Sequence, residues 1–220
     1  MKDGKSQPKA GDTDCRPKAG VTNKSLVNEL LNMIAEDDRV SEELAGTGEL
    51  FIGYNPKMAE VHRNNAKRLD EIVARHGWPD ECTVGKEGSE AAWRIAQHAI
   101  DQPDFQRRMF VYIENAAEQG RVEPWQPAYL EDRIRSLEGR PQRYGTQFDW
   151  DESGEMSPYP EIEDPANVNT LRASVGLPPI EEAIEKHRKS ARLSNERKPA
   201  NLRQRRIEMD EWARSVGWRS

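Results

Sequence analysis

The spacing of the apolar residues most limits what this chain can fold into. From about residue 25 onward, apolar side chains recur every three or four positions in successive segments, which is the period of an amphipathic α-helix. Several segments are bounded by residues that start or stop helices, such as Asn55 with Pro56 at one start and Gly77 at the corresponding end. The sequence therefore predicts a mainly α-helical fold.

The boundaries of the first five helices follow from these signals. We expect them to begin at Ser25, Pro56, Ser89 and Pro103 and, for the fifth, to span residues 127–139. Further helices are expected in the last third of the chain. A helical domain with one small β-hairpin results.

The hairpin is predicted near residues 143–162, where the period changes from that of a helix to that of a strand. Tyr144, Phe148 and Trp150 alternate with polar residues, and a "DESG" turn follows. If the segment is extended throughout, Tyr144 and Gln147 point to opposite faces.

The alternative is a bend at Gly145, since glycine inside a strand pattern often marks one. A bend would allow Gln142, Tyr144 and Gln147 to converge on one place. Both alternatives are open from the sequence.

Composition divides the chain into a domain and two ends. Charged residues make up 33% and hydrophobic residues 35%, so part of the chain lies outside a packed core. Residues 1–24 are predicted to be disordered, residues 25–195 to form a single helical domain, and residues 196–220 to form a basic helix or tail. Net charges of +3 for residues 1–25, −13 for residues 26–180 and +4 for residues 181–220 argue against a nucleic-acid surface on the domain.

Cysteine and histidine usage bears on location and metal binding. Cys15 and Cys82 are far apart in the sequence, so neither a disulfide framework nor a zinc site is expected, and a reducing cytoplasm is the default. The four histidines form no close pair, and we expect no metal and no cofactor. No apolar run is long enough to cross a membrane, so we expect no membrane partner.

His98 is the first candidate for chemistry. Glu90, Arg94, His98 and Asp101 form one polar stripe at helical spacing, where a carboxylate could reach the imidazole. Histidine is the usual proton carrier near neutral pH, so His98 is either a general acid or base or a hydrogen-bonded structural histidine.

Asp132 and Arg133 are the second candidate. Arg133 borders the apolar face of its predicted helix and needs a partner if it is covered. The two residues either hold a polar ligand, with Arg133 as an anion clamp, or form ion pairs between helices. Asn65, in line with Leu69 and Ile72 on the second helix downstream of His62, suggests a buried hydrogen bond.

Five blocks of sequence occur in a fixed order: "GWP", "AAWRIAQHA", "AYLEDRI", "GRPQRYGTQF" and "IEDPANVNTLRASVGLPP". With these blocks, residues 63–184 resemble a bacterial family catalogued as domain of unknown function 6624. The resemblance implies no activity, substrate or cofactor. It implies that certain positions belong to the family's signature, namely Gln97, His98, Asp132, Arg133, Gln142, Tyr144, Gly145 and Gln147.

Polar signature residues from three segments suggest one shared site, because polar groups are costly to bury without a purpose or a partner. We expect a site for a polar or anionic small molecule or a modified residue. If the protein is an enzyme, His98 is the general acid or base and Asp132 orients it, while Gln97, Arg133, Gln142, Tyr144 and Gln147 bind the substrate. The alternative is a non-catalytic protein whose basic C-terminal tail binds nucleic acid or an acidic protein partner.

Overall fold

The computed structural model describes residues 23–51, 53–194 and 198–220. The predicted disorder of residues 1–24 falls almost wholly outside these ranges. The described residues form eight α-helices and one two-stranded antiparallel hairpin, which confirms the predicted mainly α-helical fold. In chain order the elements are α1 (Lys24–Thr47), α2 (Pro56–His76), α3 (Glu81–His98), α4 (Pro103–Glu118), α5 (Trp125–Leu137), β1 (Phe148–Trp150), β2 (Met156–Pro158), α6 (Val168–Ser174), α7 (Ile180–Leu193) and α8 (Leu202–Ser215).

Side-chain caps explain where the first helices begin. Asn23 caps α1 by accepting a hydrogen bond from the amide of Leu26, so this helix starts before the predicted Ser25. Asn55 caps α2 in the same way, and Pro56 occupies its first turn as expected.

Helix α3 begins earlier than predicted, at Glu81 rather than at Ser89. The side chain of Asp80 accepts a hydrogen bond from the amide of Thr83 and so supplies the cap. The prediction missed this first turn because Gly85 follows it with a positive φ of 69°, which interrupts the helical pattern.

The main core lies between α1 and α5. Its fully buried members include Leu30 of α1, Leu69 of α2, Ile95 of α3, Ile113 of α4 and Leu130 of α5. Helix α1 packs on both α2 and α3, so these three helices share an interface along their apolar stripes.

The hairpin is shorter than the predicted range. Strand β1 pairs with β2 from Phe148, opposite Pro158, to Trp150, opposite Met156. Upstream of β1 the chain is not a strand, because Gly145 has a φ of +65° and bends it.

The C-terminal helix docks on the domain. Leu202 and Ala213 of α8 are buried, and the indole of Trp218 donates a hydrogen bond to the carbonyl oxygen of Ile100. Among the described residues, no helix is long and apolar enough to cross a membrane. Cys82 lies in the first turn of α3, and the other cysteine lies outside the described residues.

Candidate functional site: a carboxylate between two histidines

An aspartate interrupts the apolar stripe of α1. Leu30, Ile34 and Leu44 point into the core from this stripe, and Asp37 occupies the position between them at 2% exposure. Because a buried carboxylate is costly unless it is paired, its partners indicate what the position is for.

A histidine interrupts the stripe of α2 in the same way. Met58, His62, Asn65 and Leu69 follow one another at helical spacing, and all four are buried. The side-chain amide of Asn65 donates to the carbonyl oxygen of Met33 at 3.2 Å, which confirms the predicted buried hydrogen bond. His62 therefore faces α1 from the neighbouring helix.

The last residue of α3 completes the cluster. Nδ1 of His98 lies 2.9 Å from Oδ2 of Asp37, and Nε2 of His62 lies 3.3 Å from the same oxygen. The two imidazole rings are 5.3 Å apart between centroids. One buried carboxylate is thus shared by two histidines from two other helices, and we call Asp37, His62 and His98 the carboxylate–histidine cluster.

The cluster is buried on one side and open on the other. The side chain of Asp37 is 3% exposed and that of His62 is 10% exposed, whereas that of His98 is 31% exposed. His98 is therefore the member that a molecule from solvent could contact.

The electrostatics of the cluster favour a charged carboxylate. Burial raises the pKa of Asp37, but the adjacent imidazoles of His62 and His98 outweigh burial and hold this pKa well below its usual range. Burial raises the pKa of Tyr54, with further increases from the charges of Asp101 and Asp37, so this phenol stays protonated at neutral pH.

Tyr54 fixes the ring of His62 from behind. The phenolic oxygen lies 2.7 Å from Nδ1 of His62. Nε2 of His62 is buried and has no hydrogen-bond partner among the described residues, since its approach to Asp37 lacks hydrogen-bond geometry. With Nδ1 against Tyr54, the opposite ring nitrogen, Nε2, lies on the side of Asp37.

Ion pairs flank the cluster. Arg94 pairs with Asp38, and Nε of Arg63 donates to Oδ2 of Asp101 at 2.6 Å. The predicted polar stripe of α3 thus contacts α1 through Arg94 and Asp38. Its continuation at Asp101 contacts α2 through Arg63.

Asp132, the predicted partner of His98, is engaged elsewhere. Its carboxylate accepts hydrogen bonds from the backbone amides of Arg143, Tyr144 and Thr146 and from the Thr146 hydroxyl. No hydrogen bond or ion pair joins Asp132 to His98 within the described residues. Asp37 takes the place that the sequence analysis gave to Asp132, because α1 rather than α5 lies against the end of α3.

The bend at Gly145 is held from two sides. Asp132 accepts the N–H groups of the loop, while the buried guanidinium of Arg172 donates to the carbonyl oxygens of Tyr144 and Pro178. The carboxylate of Asp132 thus accepts from backbone N–H groups of this stretch, and the guanidinium of Arg172 donates to one of its carbonyl oxygens. We call residues 142–147 the Gly145 loop.

The amide of Gln142 is used inside the Gly145 loop. It donates to the carbonyl oxygens of Gln147 and Pro160 and accepts from the amide of Gln147 at 2.7 Å. The side chain of Gln147 donates to the hydroxyl of Thr146, and Tyr144 is 9% exposed. The structure therefore brings Gln142 and Gln147 together, and both side-chain N–H groups of Gln142 are used in hydrogen bonds to the backbone.

Gln97 and Arg133 differ from these residues because their polar atoms are not satisfied. Both polar side-chain atoms of Gln97 and Nε of Arg133 are buried without a hydrogen-bond partner among the described residues. Arg133 makes no ion pair there, and burial lowers the pKa of its guanidinium to about 10, which leaves it cationic at neutral pH. Trp93, one turn before Gln97 on α3, contacts α5 through the carbonyl oxygen of Gln126.

Two surface depressions lie away from the cluster. One is lined by residues of α1 with Asn65, and the other by the start of α1 with Arg68, Arg75 and His76. Neither contains a predicted site residue.

The arginines of the C-terminal segment contact the domain. Arg205 pairs with Asp149, Arg206 donates to the carbonyl oxygen of Trp150, and Arg219 donates to the carbonyl oxygen of Leu137. These groups are therefore engaged within the chain.

Asp37 and Arg172 were not among the predicted site residues, and His62 had no predicted role. A usable signal was present for Asp37 and His62, since each occupies a stripe position where an apolar residue is expected. Arg172 lies within the quoted "NVNTLRASVGLPP" block but has no pattern that separates it from an exposed arginine of a short helix.

A family model matches most of the chain. Residues 24–193 match the Family of unknown function (DUF6624). The chain belongs to this family. The DUF6624 match includes α1 and α2, so it takes in Asp37 and His62 as well as the five quoted blocks. Comparisons with curated proteins and with solved structures found no match.

Proposed function

We propose that this DUF6624 protein binds a polar or anionic small molecule, or a modified residue, at the carboxylate–histidine cluster. His98 is the proton carrier, and Asp37 orients its imidazole. The observation that carries the proposal is the 2.9 Å contact between buried Asp37 and partly exposed His98. A carboxylate on one ring nitrogen fixes the tautomer and leaves the other nitrogen for acid–base chemistry.

Two of the predicted substrate-binding residues support a polar ligand. The guanidinium of Arg133, which makes no ion pair among the described residues, suits an anionic group, and the amide of Gln97, unsatisfied among the same residues, offers one donor pair and one acceptor. Gln97 adjoins His98 on α3. Asp132, Gln142, Tyr144 and Gln147 enter the proposal through the Gly145 loop, whose shape they set.

The alternative, a polyanion-binding tail, receives less support. Arg205, Arg206 and Arg219 contact the domain, so fewer cations remain for a phosphate backbone or an acidic protein.

A ligand screen tests the proposal. Thermal unfolding of the wild type is measured against a library of polar and anionic metabolites and modified amino acids, in parallel with His98→Gln. His76→Gln is the control, because His76 is an exposed histidine at the end of α2. We expect a ligand at about 100 times its Kd to stabilise the wild type and the control by roughly 2.7 kcal/mol, and His98→Gln by much less.

Arg133→Met gives the second arm of the screen. For an anionic ligand, we expect this variant to lose most of the stabilisation, since it removes the cation and keeps an unbranched apolar side chain. A ligand that stabilises the wild type and His98→Gln equally would place the binding site away from His98 and contradict the proposal.

A further inference from the structure

The carboxylate–histidine cluster has the composition and geometry of a metal centre. The three ligand atoms, one from each of Asp37, His62 and His98, all lie within 4.8 Å of one another. We propose that the cluster binds one divalent first-row transition-metal cation, with Nε2 of His62, Nδ1 of His98 and Oδ2 of Asp37 as ligands.

The separations of these atoms fit such an ion. For metal–ligand bonds of about 2.0–2.2 Å, neighbouring ligands of a tetrahedral ion lie about 3.3–3.6 Å apart. Oδ2 of Asp37 lies 3.3 Å from Nε2 of His62 and 2.9 Å from Nδ1 of His98. The distance to His62 already fits a tetrahedral ion, and the distance to His98 must increase by a few tenths of an ångström.

The unsatisfied nitrogen of His62 is the independent observation. Nε2 is buried, lacks a hydrogen-bond partner in the described part of the chain, and lies beside the carboxylate. Nδ1 of the same ring lies 2.7 Å from the hydroxyl oxygen of Tyr54. When Nδ1–H donates to that oxygen, the lone pair is on Nε2, which is the tautomer that binds a metal.

The donor set narrows the class of ion. Two imidazole nitrogens and one carboxylate oxygen suit Zn²⁺, Fe²⁺, Co²⁺ and related ions, whereas Mg²⁺ and Ca²⁺ prefer oxygen ligands. Three protein ligands with an exposed side at His98 leave coordination positions open toward solvent, as in catalytic rather than structural sites.

The inference shares its site with the proposed function and changes the role of one residue. With an ion bound, Nδ1 of His98 is a ligand and no longer a hydrogen-bond partner of Asp37. An ion would also hold the two imidazoles and the carboxylate together without a proton between them. Metal binding is therefore measured separately from ligand binding.

The experiment uses the full untagged chain after treatment with a chelator. Zn²⁺ is titrated by calorimetry, Co²⁺ by visible absorption, and Mg²⁺ serves as the contrasting ion. We expect one Zn²⁺ per chain, d–d bands of a Co²⁺ ion with nitrogen ligands, and no uptake of Mg²⁺ at the same concentrations.

Variants then locate the ion. His62→Gln and His98→Gln are each expected to weaken Zn²⁺ binding by well over tenfold, and His76→Gln is expected to bind like the wild type. Tyr54→Phe keeps all three ligands and removes only the hydroxyl behind His62, so a loss of about tenfold to 100-fold is expected. This variant and the wild-type Co²⁺ spectrum remain informative if a histidine variant does not fold.

Two results would overturn the inference. One is a wild-type chain that takes up far less than one Zn²⁺ per chain, and the other is undiminished binding in folded His62→Gln and His98→Gln. If no Zn²⁺ is taken up and a ligand still requires His98 in the presence of chelator, the metal site is contradicted and the proposed acid–base site is supported. Uptake of one ion per chain, with no ligand found in the screen, would support the metal site and count against the proposed small-molecule site.

Discussion

Replacing Asp132 tests whether this residue holds the Gly145 loop. Its carboxylate accepts hydrogen bonds from the amides of Tyr144 at 3.1 Å and Thr146 at 3.0 Å, both in buried surroundings. It also accepts from the less buried amide of Arg143 at 2.7 Å. Asp132→Ala leaves these backbone donors without their acceptor, since the other carboxylate bonded to the loop, that of Glu131, accepts from the side chain of Arg143.

The magnitude follows from the buried donors. Each buried N–H group left unpaired costs about 1–3 kcal/mol, so the amides of Tyr144 and Thr146 together give roughly 2–6 kcal/mol. Burial raises the pKa of Asp132, which means that the charged carboxylate itself is partly unfavourable where it lies. Relief of that cost moves the expectation to the lower half of the range, about 2–4 kcal/mol, a large part of the stability of a typical domain.

Urea denaturation followed by far-ultraviolet circular dichroism measures this loss. Asp104→Ala is the matched control, because the Asp104 side chain is 89% exposed and its removal is expected to change stability by less than about 0.5 kcal/mol. Asp132→Asn keeps one acceptor oxygen but directs an NH₂ group at an N–H donor, so an intermediate loss is expected. A loss below about 1 kcal/mol for Asp132→Ala would refute the reasoning.

Three further changes probe the same region. Arg172→Met is expected to cost about 2–4 kcal/mol in urea denaturation, because it strips buried carbonyl oxygens of their donors; a change under about 0.5 kcal/mol would contradict this. Gly145→Ala should destabilise the protein more than Gly176→Ala. Both glycines have a positive φ, but of the two only Gly145 has neighbours that a Cβ would meet at 2.8–2.9 Å. Equal losses of stability in the two variants would argue against tight packing at Gly145. Burial lowers the pKa of His187 below its unfolded value of about 6.5, so the unfolded state binds the proton first and stability falls as pH drops below about 6.5. His187→Gln should reduce that fall between pH 7.5 and 5.5, and an unchanged pH dependence would count against it.

Much of the fold was predictable because its signals are local. The apolar period, the Asn55–Pro56 start and the turn before β2 depend on residues a few positions apart, and these elements appear where the sequence places them. The start of α3 was predicted wrongly because Gly85 resembles a helix boundary, although a capped turn precedes it.

The candidate site was predictable only in part. The polar stripe of α3 placed His98 where a carboxylate could reach it, and the carboxylate of Asp37 lies 2.9 Å from its Nδ1. Which carboxylate it meets depends on α1 lying beside the end of α3, which no spacing within α3 can show. The bend at Gly145 was one of two alternatives in the sequence, and the positive φ of this residue decided between them.

The sequence by itself determined the helical character, the hairpin, the membership of the chain in one family and the presence of polar residues on apolar stripes. The tertiary structure alone decided that Asp37, His62 and His98 meet, that Asp132 and Arg172 hold the Gly145 loop, and that the C-terminal arginines contact the domain. The physical reason is the distance in sequence between the interacting residues. Helix formation and capping depend on neighbours within about one turn, whereas hydrogen bonds between residues 28 or 61 positions apart form only after the helices have packed.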